Sequence, residues 1–155
     1  MNSTTSPDLR ALDLSETANC ACFNVRKTAR SITQYYASFL ANSPLKETQF
    51  SILSVLTQTE PLPIGKLAEI LLMERTTLTR NLKPLILRDF ISISPGKDKR
   101  SRLVSLTNTG SKAFAETLPQ WQKAQKNLIA KFGKVKWALL RKQLTTLQSL
   151  TIDPM

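Results

Sequence analysis

Residues 63–102 read PIGKLAEILLMERTTLTRNLKPLILRDFISISPGKDKRSR, and the spacing of the apolar residues in this stretch decides the fold. Ile64, Leu67, Ala68 and Leu71 recur at helical spacing, and a second helix begins near Glu74 with Leu78, Leu82 and Leu85 in step. With those leucines turned inward at 100° per residue, the opposite face carries Thr76, Arg80 and Lys83, flanked by Thr77 and Thr79. That face offers short hydroxyls and a guanidinium, with no acid beyond Glu74. Such a set suits base edges and phosphate oxygens in a major groove. Two short helices in close succession, the second polar and basic on its outer face, predict a helix-turn-helix.

Downstream, residues 90–94 and 103–106 are short runs rich in Ile, Val, Ser and Leu, joined by the loop PGKDKRSR at 95–102. They predict a strand, a long loop and a strand. Lys97, Lys99, Arg100 and Arg102 against the single Asp98 give the loop a charge of +3. This makes it a basic wing, whose tip arginine suits a narrow, electronegative minor groove. Asp98 is placed to aim Arg100.

The segment MERTTLTRNLKPL (73–85), followed by DKRSRLVSLTNTG (98–110), resembles the winged helix of the MarR family of bacterial transcription regulators. The resemblance extends through LKETQFSILSVL, the Pro119-Gln120-Trp121 segment and CFNVRKTARSITQYY, and covers roughly residues 18 to 132. It implies that Asp98 and Arg100 are the wing-tip Asp-x-Arg pair and that Thr76, Thr77, Thr79 and Arg80 front the recognition helix. Two positions depart from the family pattern. Asp89 stands where relatives place the glycine that ends the recognition helix, and aspartate tolerates the left-handed backbone this turn needs. Pro84 lies inside that helix, where it removes a hydrogen bond and is expected to bend the C-terminal half, beyond the reading residues.

The 155 residues, 41% hydrophobic and 21% charged, suit one domain with a real core. Without an eighteen-residue apolar run, and with a polar N-terminus of mixed charge, neither a membrane span nor a signal peptide is expected, and the location read from this is cytoplasmic. The net charge of +11 is unevenly spread. Residues 1–60 balance five bases with five acids, residues 61–110 carry nine against four, and residues 111–155 carry eight against two. The positive field begins at the helix-turn-helix, so the expected partner is double-stranded DNA bound with counterion release, and not a membrane. Lys131, Lys134, Lys136, Arg141 and Lys142 are read as a solvated face.

Taken in order, 1–13 reads as a flexible tail, 14–45 and 108–152 as helical dimerisation regions, and 46–107 as the winged helix-turn-helix. A first helix is expected from Ser15 or Glu16 to about Ala41, with Cys22, Val25, Ala29, Ile32, Tyr36 and Phe39 as an apolar seam. A second is expected over 48–57, with Phe50, Leu53 and Leu56 facing in. After an N-cap at residues 107–110 a long helix carries Phe114, Leu118, Trp121, Gln125, Leu128 and Phe132 on one stripe and is kinked at Pro119. Gly133 breaks it, and a last helix runs from Lys134 to about Leu150. The fold expected is mainly α with a small β-wing: a winged helix-turn-helix plus long terminal helices. Those terminal helices have more apolar stripe than so small a domain covers, and a second copy of the chain is the expected partner.

Histidine is absent, so no Ser-His-Asp or Cys-His arrangement exists, and an enzyme is not expected. Cys20 and Cys22 fall short of a zinc site, the four glycines form no P-loop, and no cofactor or metal is expected. On a common helix the two thiols would point about 200° apart and could not bridge. The function expected is a homodimeric, sequence-specific regulator, a repressor by resemblance, released by a small aromatic ligand or by an oxidant. Cys22 and Tyr36 match the peroxide-sensing branch of the family, although its tyrosine four residues after the cysteine is Arg26 here. Cys20, Cys22, Phe23, Arg26, Arg30 and Tyr36 are the effector or redox candidates. The competing readings are a basic architectural protein without sequence preference and a winged helix used only for protein contacts. The first leaves the threonine-rich reading face unexplained, and the second would not need Arg80, Lys83 and Arg100 to point the same way.

Overall fold

The computed structural model describes residues 14–59, 61–96 and 101–152. A 3-10 helix, Ser15–Asn19, precedes α1 (Ala21–Leu40), α2 (Glu47–Leu56), β1 (Leu62–Pro63), α3 (Ile64–Leu71), α4 (Arg75–Leu87), β2 (Ile91–Pro95), β3 (Arg102–Leu106), α5 (Asn108–Phe132) and α6 (Lys134–Ile152). By internal packing the chain divides into Met1–Gln34 and Tyr35–Met155. The expected tail, 1–13, lies outside the described residues.

In the first unit α1 begins later than its sequence pattern suggests. The Cys20 carbonyl accepts the first helical bond, from the Asn24 backbone amide at 3.0 Å, and the Asn24 side-chain amide also donates to the carbonyls of Ala18 and Cys20, both at 3.0 Å. Cys20 closes the 3-10 turn with φ −54° and ψ 115°, off the helix. The 200° separation expected of two helical cysteines therefore does not apply, and the geometric argument against a bridge between them falls. Both thiols are free and exposed. Of the expected apolar seam, Cys22, Val25 and Ala29 are also exposed.

The second unit holds the core. Leu45, Phe50, Ile52, Leu53 and Leu56 pack with Leu67, Leu78, Leu82, Leu85, Ile91 and Val104 in one buried cluster. Phe50 anchors α2 to α5: its ring stacks on Phe114 at 4.8 Å and on Trp121 at 5.3 Å, the aromatic stripe expected of that helix. α2 starts where the Lys46 amide donates to the Gln49 side chain at 3.0 Å. Thr107 caps α5, its hydroxyl accepting from the Gly110 amide at 3.0 Å. α5 continues through Pro119, and α4 through Pro84. Gly133, at φ +100°, separates α5 from α6.

The three strands form one antiparallel sheet in the order β1-β3-β2. Strands β2 and β3 pair along their length from Ile91–Leu106 to Pro95–Arg102. The two-residue β1 adds Leu62 to Val104 and Pro63 to Leu103. Sequence reasoning missed β1, because so short a segment has no period of its own and its proline fits only an edge. Among the described residues no helix is long and apolar enough to cross a membrane.

Candidate nucleic-acid interface

The two helices expected to form the reader are held by a tight turn. At the end of α3 the Met73 amide donates to the Ala68 carbonyl at 2.9 Å and the Leu72 amide to Glu69 at 3.1 Å, with Leu72 left-handed at φ 49° and ψ 42°. This is the paired-bond helix stop that a glycine usually supplies, made here by leucine. Glu74, at φ −57° and ψ 137°, precedes α4 without a side-chain cap bond, so only three residues separate the two helices.

Leu78, Leu82 and Leu85 on α4 are at most 1% exposed. Thr76, Thr79, Arg80 and Lys83 lie exposed on the other side, and Thr77 is half-buried. Thr79 donates to the Arg75 carbonyl at 2.8 Å, which fixes its hydroxyl and leaves its lone pairs outward. Arg80 Nη2 lies 3.5 Å from the Thr77 hydroxyl, a long contact that orients the guanidinium along the helix and keeps its other donors available. Asn81 is turned aside, its amide 3.9 Å from the Met73 sulfur. Arg75 was not singled out by sequence reasoning, yet it is exposed in the first turn of α4 and reaches back to 3.9 Å from the site of a Cβ on Gly65. Its signal was available: it is the only cation in that first turn.

Lys97, Asp98, Lys99 and Arg100, the expected wing tip, lie outside the described residues. The base of the wing is defined. The Gly96 amide donates to the Ser101 carbonyl at 2.9 Å, and a Cβ on Gly96 would force the Ser101 hydroxyl to turn away. Arg102 is exposed at the start of β3, opposite Pro95.

The effector candidates are placed separately. Phe23, Arg26 and Arg30 are exposed on α1. Tyr36 is half-buried against Trp121, ring centroids 6.3 Å apart, and its hydroxyl donates to the Gln125 side chain. Burial, and secondarily the neighbouring Tyr35, hold the Tyr36 phenol above the usual tyrosine pKa.

At the far end of α4, Arg88 Nη1 donates to the Pro44 carbonyl at 2.6 Å while its guanidinium sits 4.3 Å over the Phe90 ring. Asp89 takes the left-handed conformation expected of it, φ 53°, with the Phe90 amide bonded to Leu85 and the Asp89 amide to Ile86.

The sequence model of the MarR family matches residues 45–101. The M. tuberculosis transcriptional regulator MosR, solved in complex with DNA, is 34% identical over 83% of this chain and 92% of its own, with a TM-score of 0.76. The uncharacterized HTH-type transcriptional regulator YwoH of Bacillus subtilis is 29% identical over 70% of this chain and 79% of YwoH. The HTH-type transcriptional regulator SarZ of Staphylococcus aureus is 31% identical over 57% of this chain, a match that spans 61% of SarZ.

Proposed function

Because this chain belongs to the MarR family of winged-helix transcriptional regulators, we propose that it acts as a homodimer on a pseudo-palindromic operator in double-stranded DNA. There it represses transcription and is released by a small ligand or by thiol oxidation. The observation that carries this reading is the outer face of α4: Thr76, Thr79, Arg80 and Lys83 are exposed directly opposite the buried Leu78, Leu82 and Leu85. A helix anchored by leucines and presenting hydroxyls and cations has the chemistry that reads base edges while holding phosphates. MosR, whose identity to this chain extends over most of both proteins, was solved bound to DNA.

Dimerisation is supported by α6, where Val135 is 83%, Leu139 56% and Leu150 70% exposed in the single chain. Release by oxidation is supported by the exposure of Cys20 and Cys22. Release by a small aromatic ligand is supported by Phe23, Arg26 and Arg30, which offer an apolar ring and two cations along α1. In this reading the protein works in the cytoplasm and catalyses nothing.

Selection of bound duplexes from a random pool, at fixed and stated salt, tests the reading. A defined two-fold motif and a large ratio of specific to random affinity are expected. Binding without sequence preference would instead favour the architectural alternative.

A further inference from the structure

Asp89 does more than a glycine could at its position. Its backbone is left-handed, which glycine adopts at lower cost, and it ends α4 through the same two backbone bonds a glycine would make. Its remaining atoms are tied to the start of α5. The Asp89 carbonyl accepts from the Thr107 hydroxyl at 2.6 Å, and Thr107 is the residue that caps α5. The Asp89 carboxylate accepts from the Thr109 hydroxyl at 3.2 Å, within the first turn of α5, where helix polarity also favours a negative charge. The Thr107 amide donates to the Phe90 carbonyl at 3.2 Å, and a Cβ on Gly110 would collide with that same oxygen. Three hydrogen bonds and a close approach therefore join the end of α4 to the beginning of α5, and one of the bonds exists only because residue 89 has a side-chain oxygen.

We propose that Asp89 is a positioning residue for DNA reading: through Thr109 it fixes the angle between α4 and α5, and so where Thr76 and Arg80 meet the major groove. The inference rests on the DNA reading above. Leverage gives it weight. α4 is 13 residues long, so a swing of about 10° about its C-terminal end moves its first turn by roughly 3 Å. That shift breaks a hydrogen bond to a base edge, while a long lysine or arginine follows a phosphate across the same distance. Loosening the joint therefore lowers specificity more than general affinity.

The experiment measures dissociation constants of the full-length protein for its selected operator and for a random duplex of equal length, each across a salt series. The variants are Asp89→Gly, which keeps the left-handed turn and loses the acceptor, and Thr109→Val, which loses the donor. Asp89→Asn and Thr109→Ser retain the bond, the former without the charge. Asp89→Gly and Thr109→Val are each expected to lower the operator-to-random ratio about fivefold, as loss of one modest hydrogen bond would. The double variant should lose no more than either alone, with the salt slope of Thr109→Val unchanged. Asp89→Asn and Thr109→Ser should keep the wild-type ratio. If Asp89→Gly loses its helical circular dichroism, Thr109→Val reports on the same bond from the other side. A ratio that survives both Asp89→Gly and Thr109→Val overturns the proposal while leaving the DNA reading intact. So does an equal loss in Asp89→Asn and Asp89→Gly, which would make charge the cause. A wild type without operator preference removes the DNA reading and this proposal with it.

Discussion

Leu72 sits in the left-handed region at the turn between α3 and α4, where a side chain branched at Cβ meets the backbone hardest. Leu72→Ile conserves size and hydrophobicity, yet should destabilise the protein by about 1–2 kcal/mol in urea unfolding. An unchanged midpoint would mean that the turn is not held in this conformation in solution. Arg80 and Arg100 should separate by mechanism under the proposed function. Arg80 is exposed on the reading face of α4, so Arg80→Ala should cost about 1–3 kcal/mol of binding and relax preference at one or two base pairs. Arg100, read from sequence as the wing tip, should serve every site alike. Arg100→Ala should make the plot of log K against log salt shallower by about one unit per half-site. Equal losses on all sequences for both variants, with unchanged salt slopes, would refute this division.

At the scale of elements, the contact of α1 with α5 depends on a protonated phenol. Tyr36 donates to Gln125 and packs on Trp121, while Tyr35 donates to the Ala124 carbonyl at 3.4 Å. Burial raises the Tyr36 pKa above its unfolded value. The group therefore binds its proton more tightly when folded, and its contribution to stability is complete below pH about 10. As pH rises through the folded pKa that contribution is lost, because the anion cannot donate to Gln125 and its charge is partly buried. Urea midpoints between pH 9 and 11 should fall more steeply for the wild type than for Tyr36→Phe, and parallel slopes would place the alkaline sensitivity elsewhere. The other end of this system is the joint between α4 and α5, and Arg88 bonded to Pro44 ties α4 to the α1–α2 loop as well.

For the whole molecule, the proposed two-fold dimer constrains its DNA. Two recognition helices entering successive major grooves on one face lie about 34–36 Å apart, so half-sites should be centred about one helical turn apart. Hydroxyl-radical footprints should show two protected regions with that spacing, and light scattering at micromolar concentration should give the mass of two 17.4 kDa chains. A monomeric mass, or protection of a single half-site, would contradict the dimer. The exposed apolar residues of α6 would then need another cover.

What the amino-acid order determined by itself is whatever repeats locally. Leucines three and four apart on α3 and α4 define both helices and the face opposite them, so Thr76, Arg80 and Lys83 could be placed before any coordinates. The left-handed backbone of Asp89 was expected from the resemblance, whose pattern has a helix-ending glycine at that position, together with the tolerance of aspartate for that conformation. Tertiary structure decided what depends on partners distant in sequence or on competition between hydrogen bonds. β1 is a strand only because β3 pairs with it some forty residues later. The segment Ser15–Asn19 is a 3-10 turn and Cys20 lies off the helix, where periodicity alone would have extended α1 over both, and the Asn24 side chain bonds back to Ala18 and Cys20 there. The Asp89 carboxylate meets Thr109, twenty residues away, because Thr107 and Gly110 bring the first turn of α5 against the end of α4. Periodicity specifies which face of an element is buried, since that depends on the element alone. Which groups meet across two elements depends on how the core brings them together, and no local pattern encodes that.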